Sequence, residues 1–492
     1  MAANFQKYTR IAIFGCLIQE INLELLVKII QIIIKKFFTF IQIRQLLNFL
    51  QTMREILVLQ LGGFGNKMGV KFWEEMFEDS EFGSDIDQQN QNKNILLNSS
   101  NVVYYNLSEK TPLPRTIQVD LGQDLPYSNT NFNPCNQFSF NYSSGNNFGF
   151  VKNNCCNQVI DIIFDRIRQE IEQCDSLQGF QIFASIIGGT GSGLSAVLSQ
   201  KLKDEYPNAI TQCNLLVPSI NLNDDCVVSP YNFGLAFSQL MDSAEQLIFF
   251  DNQGLKQNLS RLGIQFDYQD ANLHVAQTIC CNSSPFRNPG DINSSLRKLS
   301  TNLSPFSNYK LFTCNMTNNQ YSDYYKEYLK MDEYQILKEL ISSNHNQTST
   351  VYTKGRFLSA ALSVRGKVSN KELDKYCSCL DYFIEYQRHR LEVRKKYEGI
   401  KMFFTNICQK KYQNYEFFGS SIVHSSSITQ SLSSISEKFK KMYPKKSYVH
   451  KYIQEGIEES EFVGAQSRLD DTIFLYQDTS DTYQDENVED WE

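Results

Sequence analysis

Four glycines and two hydroxyls share the seven positions Ile187-Gly-Gly-Thr-Gly-Ser-Gly193. Glycine has no Cβ, so successive backbone N–H groups in such a stretch can close around an anion. The apolar run Phe180–Ile187 before it predicts a buried strand, and Leu194, Val197, Leu198 and Leu202 predict a core-facing helix over Leu194–Tyr206 after it. The start of that helix adds partial positive charge. This is the chemistry of a phosphate cradle. No Gly-Lys-Ser/Thr ends it, so it is not a Walker loop. Taken alone, it also suits a dinucleotide loop or a plain tight turn.

A second unit of the same design lies upstream. Arg54–Leu61 is apolar, Gly62-Gly-Phe-Gly-Asn-Lys-Met-Gly69 follows, and Val70–Phe77 is amphipathic, which predicts strand, glycine turn and helix. A third loop, Tyr142-Ser-Ser-Gly-Asn-Asn147, offers hydroxyl and amide groups suited to phosphate oxygens. Two such units predict an α/β fold with one ligand held from both sides, at the carboxyl ends of parallel strands. A dehydrogenase would need an acid at the end of the second strand to bind the ribose. Val102-Val-Tyr-Tyr-Asn106, read as that strand, ends without one.

The order of motifs along the chain then resembles one family. Met53-Arg-Glu-Ile56, Gly62–Gly69 with Lys71-Phe-Trp-Glu74, Val119-Asp-Leu121, Ser144-Gly-Asn-Asn147 and Cys174-Asp175 come first. Leu177-Gln-Gly-Phe-Gln181, Gly188–Gly193, Asp204-Glu-Tyr-Pro207, Pro230-Tyr-Asn232 and Asp251-Asn252 follow. Leu296-Arg-Lys-Leu299, Arg365-Gly366 and Glu459-Ser-Glu-Phe462 complete the series. Together they resemble tubulin from Met53 to Gln477. The resemblance implies a Rossmann-like GTPase domain with a parallel sheet, a core helix, a smaller α+β intermediate domain and C-terminal helices. The expected boundaries are 53–267, 268–288, 289–425 and 426–477, with residues 1–52 outside the match and an acidic disordered tail at 478–492.

Within that family the chain resembles a β subunit. In α-tubulin, the segment matching Asn293–Lys298 carries a glutamate that polarises the water attacking a neighbour's GTP. Lys298 stands there in this chain, as lysine does in β-tubulin. The resemblance therefore implies no catalytic residue of its own. It also implies that hydrolysis occurs only when an α-tubulin partner inserts its acid, so the isolated chain is expected to be nearly inactive.

The resemblance also assigns binding residues. Ser185, Gly188, Gly189, Thr190, Gly191, Ser192 and Gly193 match the main phosphate loop of a GTP or GDP site, and Gly62, Gly65 and Asn66 match the first loop. Ser144, Gly145 and Asn146 match the loop that senses the γ-phosphate, while Asn252 and Asn272 match the readers of the guanine edge and Tyr268 the stacking aromatic. An asparagine amide offers a donor and an acceptor, which suits that edge. Asp120 matches an acid that helps to hold Mg²⁺.

Several family positions differ. Gly63 replaces a glutamine beside the phosphates, Phe64 a cysteine, Gly122 a second acid, Ile187 the first glycine of the main loop and Ser229 the acid before Pro230. Mg²⁺ keeps several waters, so these losses imply a weakened Mg·GTP site rather than none. Two readings follow. One is a structural microtubule subunit forming a heterodimer with α-tubulin in the cytoplasmic cytoskeleton. The other is a specialised non-lattice tubulin of cilia or basal bodies, or a regulator.

Composition is compatible with both. A length of 492 residues with 41% apolar content allows roughly two or three packed domains. A net charge of −7 gives no reason to expect nucleic acid as a partner. Cys155-Cys156, Cys280-Cys281 and Cys377-Ser-Cys379 lack the CxxC pairs of a zinc site, so reduced thiols are expected. Asn- and Gln-rich stretches such as Gln88–Asn94 read as loop inserts. Ile21–Ile43 is interrupted by Glu24, Lys28, Lys35 and Lys36, so no charge-free run reaches the ~18 residues of a membrane span. No membrane partner is expected, and Met53 is the expected start of the functional chain. Thr350–Val364 predicts a strand; Ser427–Met442 and Glu455–Asp471 predict helices, with basic Lys440-Lys441 and Lys445-Lys446 between them. In the family, an acidic tail such as Asp478–Glu492 recruits motors and microtubule-associated proteins.

Overall fold

The computed structural model describes residues 55–80, 103–106, 112–122, 125–126, 132–221, 226–287, 294–317, 333–366, 403–408 and 417–481. The leader 1–52, Met53, the Gln88–Asn94 insert, Cys377–Cys379 and residues 482–492 lie outside them, as do the side chains of Cys155 and Cys156.

The strands in chain order are β1 (Glu55–Leu61), β2 (Tyr105–Asn106), β3 (Leu113–Pro114), β4 (Thr116–Asp120), β5 (Gln137–Ser139) and β6 (Leu177–Ser185). Then come β7 (Ile210–Val217), β8 (Gln246–Asp251), β9 (Leu311–Met316), β10 (Phe357–Gly366), β11 (Phe403–Cys408) and β12 (Phe417–Ser425). Ten of these make one sheet, in the order β11-β10-β12-β9-β8-β7-β6-β1-β4-β5. From β5 to β9 every neighbouring pair is parallel; β12 then runs antiparallel to both β9 and β10, and β11 lies parallel to β10. The short β2–β3 pair is a separate antiparallel ribbon.

The helices are α1 (Gly62–Asp79), α2 (Cys156–Glu172), α3 (Gly189–Glu205), α4 (Ser229–Ser243), α5 (Asn252–Arg261), α6 (Tyr268–Asn282), α7 (Ser284–Arg287) and α8 (Leu296–Leu303). After them come α9 (Glu333–Ile341), α10 (Thr429–Met442), α11 (Val449–Gln454) and α12 (Glu459–Asp481). They cover both faces of the sheet, which is why its central strands are buried throughout. Alternation along β1 divides the core. Leu57, Leu59 and Leu61 join Leu194 and Leu198 of α3, Phe237 of α4 and Leu469 of α12. Ile56 and Val58 face the other way, with Phe72 and Trp73 of α1 and Val275 of α6.

Several element limits differ from expectation, among them the strand expected over Thr350–Val364, which begins at Phe357, and the helix expected from Glu455, which begins at Glu459. Both glycine stretches belong largely to helices: α1 opens at Gly62 and α3 at Gly189, without a separate turn of several residues. The last helix runs through Asp481, four residues into the expected acidic tail. Of the expected strand Val102–Asn106, Val102 lies outside the described residues and Tyr105–Asn106 belongs to the separate ribbon; β4 takes the place beside β1 and ends in Asp120. The strand beside β1 therefore does end in an acid, contrary to the expectation that set a dehydrogenase aside.

Two polar networks hold distant segments inside the core. Arg365, fully buried on β10, donates to both oxygens of Asp79 at 2.9 and 2.6 Å, and Arg287 of α7 also donates to Asp79. Burial opposes the charge on Asp79, but the two guanidinium groups outweigh it and hold the carboxyl well below the usual range. Across the sheet, Gln118 donates to Gln60 at 3.0 Å, Gln181 to Gln212 at 2.7 Å and Gln212 to Gln246 at 2.5 Å. All five of these glutamines are buried, so part of the amide content belongs to strands rather than loop inserts.

Candidate functional site

Parallel neighbours point their carboxyl ends to one edge, so the loops after β1, β4, β6 and β8 meet there. The first begins at Gly62, whose φ of +73° lets the chain leave β1 sharply into α1. A Cβ on Gly62 would lie 3.2 Å from Gly191 N and 3.6 Å from Thr190 Cγ2. The first glycine loop therefore stands in contact with the main one. Gly65 sits against the Phe183 carbonyl, which seats α1 directly on β6.

The main loop is backed by its own strand and by the third loop. Gly191 lies against the Ser185 carbonyl; Gly189 packs on the backbone of Asn146 and Asn147; Gly193 lets α3 approach Val151. A side chain at any of these three would collide with neighbours closer than 3 Å. Other glycines look outward instead. At Gly63 or Gly145 an added Cβ would meet nothing within 4 Å, and at Gly188 only Asn146 Oδ1 at 3.5 Å. Some glycines of the three loops are thus packed against backbone, and others face open space.

Side chains tie the loops together. Thr190 Oγ1 donates to Ser144 Oγ at 3.0 Å, and Ser185 Oγ accepts from Ile187 N at 3.4 Å. Ser192 is fully buried and donates back to the carbonyls of Gly188 and Gly189. Its hydroxyl thereby braces the first turn of α3. Asn66 donates to Val119 O at 3.0 Å, while its Oδ1 is buried without a protein partner. That bond fixes the end of β4, where Asp120 Oδ1 accepts from Gly122 N at 3.2 Å. Asn146 and Gly145 both have positive φ, near +55°, which turns the third loop back on itself.

Phe64 and Ile187, the two apolar replacements, pack against the cluster beneath α1 that contains Phe72, Trp73 and Phe183. The three remaining expected residues start helices. Asn252 opens α5 directly after β8, on the same sheet edge; Asp251 before it caps the helix by accepting from Gly254 N and is further held by Ser349. Tyr268 opens α6 with its ring 57% exposed and edge-on to Phe266 at 5.4 Å, and Asn272 lies one turn on, half-buried.

Lys298 sits elsewhere, exposed on the first turn of α8, where Ser295 caps the helix by accepting from Lys298 N at 3.2 Å. Its Nζ donates to Ser294 Oγ at 3.1 Å. Asn232 on α4 touches two of the loops, although motif reading gave it no role. The Pro230-Tyr-Asn232 match was its only signal.

Residues 55–260 match the family model described as Tubulin/FtsZ family, GTPase domain. Over 448 residues the chain is 32% identical to "Tubulin beta chain, nucleomorph" of Guillardia theta, covering 89% of this chain and 98% of that one. The chain belongs to the tubulin family, as a divergent β-like member whose GTPase domain is the part that takes GTP or GDP.

Proposed function

We propose that this protein is a polymer subunit that holds GTP between the loops at 62–66, 144–147 and 187–193 and pairs with an α-type tubulin. The convergence of those loops carries the reading, above all the contact of Gly62 with Gly191 and Thr190. Their backbone N–H groups and the start of α3 would meet the phosphates, with Asn252, Asn272 and Tyr268 at the base. Lys298 would stand at the opposite interface. Lysine cannot serve as a general base for water at neutral pH in an exposed position, so the acid for hydrolysis belongs to the partner chain. The GTPase domain, core helix and intermediate domain would span 53–267, 268–288 and 289–425, with the C-terminal helices continuing to Asp481. The acidic end of the chain would recruit motors and associated proteins.

Mg²⁺ would neutralise phosphate charge when bound with GTP. Among the described residues no group of three or more His, Cys, Asp or Glu side chains is placed to hold a metal. Asp120 alone fits a hydrated ion held largely by the nucleotide's own phosphates. Gly122 and Gly63 in place of an acid and an amide favour a second reading, a specialised tubulin outside the ordinary lattice.

Mass spectrometry of the nucleotide released from purified, folded protein tests the first claim. A guanine nucleotide is expected, and an adenine nucleotide or none would overturn it. Incorporation of a tagged copy along microtubules supports the lattice reading, whereas confinement to basal bodies supports the second. Among the described residues no helix is long and apolar enough to cross a membrane.

A further inference from the structure

Asn232, fully buried on the first turn of α4, uses its entire hydrogen-bonding capacity on two phosphate loops, the residue that follows one of them, and one distant tyrosine. Its Nδ2 donates to Asn146 O at 2.9 Å and to Ile187 O at 3.0 Å, one bond to each loop. Its Oδ1 accepts from Phe148 N at 3.2 Å and from the Tyr452 hydroxyl at 2.7 Å. A primary amide has two donors and two acceptor lone pairs, so all four are used. The reverse orientation would set an oxygen against two carbonyls, which leaves a single amide placement.

Tyr452 comes from α11, 220 residues further along the chain. Its ring is buried edge-on between Tyr231 at 5.8 Å and Phe462 at 5.5 Å. Neighbouring contacts press the same segment onto the third loop and the turn after it. Asn147 Nδ2 donates to Lys451 O at 3.0 Å, Asn153 Nδ2 to Glu455 O at 2.7 Å, and Lys152 pairs with Glu461 at 2.6 Å.

We propose that Tyr452 is a positioning residue for the nucleotide site: through Asn232 it fixes the spacing of Asn146 and Ile187, and so favours GTP over GDP. The inference rests on the reading that loop 144–147 faces the γ-phosphate of bound GTP. It gives the C-terminal helices a route to that phosphate, because any shift of α11 releases one of the four bonds on Asn232. A GDP-bound site has no γ-phosphate for that loop to meet, so the same loss leaves GDP binding nearly unchanged.

The test compares two hydroxyl deletions in one aromatic cluster, by titrating the full-length protein with GTP and with GDP. Tyr452→Phe keeps the ring and removes the bond to Asn232. GTP should weaken about fivefold, the effect of one lost hydrogen bond, with GDP within about twofold. Tyr231→Phe removes a buried hydroxyl that has no partner and should change neither. Equal weakening of both nucleotides by Tyr452→Phe, no change, or the same GTP-selective loss from Tyr231→Phe would overturn the proposal. Wild-type protein that binds neither nucleotide would instead remove the underlying GTP reading. Should Tyr452→Phe fail to fold, Asn153→Ala, at an exposed position, loosens the same segment from outside. It should lower the GTP-to-GDP affinity ratio about twofold, less than a full hydrogen bond, and an unchanged ratio counts against the proposal.

Discussion

The Thr190 hydroxyl donates to the Ser144 hydroxyl at 3.0 Å and so joins two loops 46 residues apart in the chain. Thr190→Val keeps the shape and deletes the donor. A single neutral hydrogen bond contributes about 1 kcal/mol, so guanine-nucleotide affinity should fall about fivefold. Fluorescence titration reads the change directly. Unaltered binding would show that the two loops do not act together on the ligand.

Much of this arrangement was legible in the chain, for reasons that individual residues make plain. The alternation of Leu57, Leu59 and Leu61 against Ile56 and Val58 marks a strand buried on both faces. The glycine stretches were legible as phosphate loops, but their conformation was not. Glycine's low helix propensity argues against a helix opening at Gly62 or Gly189, and close approach of other backbone overrides that propensity. The buried glutamines were hidden for another reason. Gln60, Gln181 and Gln212 look polar in their own strands, and each finds its partner on a neighbouring strand. Asp79, Arg287 and Arg365 are separated by more than 200 residues in the case of Asp79 and either arginine, beyond the reach of any spacing rule. The role of Asn232 was missed likewise, since its bonds reach back to loops 45 and 86 residues away.

Asn252 opens α5 on the sheet edge that carries the phosphate loops, next to the buried Asp251. Asn252→Asp exchanges a group that both donates and accepts for one that only accepts when ionised. Preference for GTP over ATP in competition titrations should shrink by about tenfold, on the order of one to two hydrogen bonds. An unchanged ratio would remove Asn252 from base recognition.

Gly122 has room for a side chain, because an added Cβ would meet only Asp120 Oδ1, at 3.9 Å. Gly122→Glu would place a second carboxylate beside Asp120. GTP binding should then depend more steeply on Mg²⁺, with chelation weakening it several-fold more than in the wild type. Isothermal titration with and without chelator measures this difference. Equal dependence in both proteins would mean that the lost acid does not account for the character of the site.

Asp79 neutralises two buried arginines at once. Asp79→Asn leaves both without a full counter-charge, and breaking a buried pair costs about 3–5 kcal/mol. A much lower midpoint in urea is expected, or no soluble protein at all. Because the native carboxyl is held below its unfolded value, its stabilising effect is complete above about pH 4, the ordinary carboxylate range, and falls away only below it. A variant as stable as wild type would show the cluster to be energetically neutral.

Acid sensitivity at milder pH should come from histidine instead. His424, buried on β12, is placed between the Leu303 carbonyl and the Tyr476 hydroxyl, each at 3.1 Å. A carbonyl only accepts, so Nδ1 carries the proton and Nε2 accepts from tyrosine, which makes the neutral ring the matching form. Burial pushes its pKa down to about 4, although the bond to Leu303 opposes the shift; burial does the same to His274. Unfolding restores both rings to an ordinary value near 6.5, where they take up protons the native state refuses. Stability is therefore full above about pH 6.5 and declines toward pH 4, by up to about 1.4 kcal/mol per pH unit for each ring. His424→Gln retains a donor and an acceptor but cannot titrate. Urea denaturation at pH 7 and pH 5 should show a smaller difference for the variant than for the wild type, by roughly one proton's worth of slope. Equal pH dependence in the two proteins would assign the acid sensitivity to other groups.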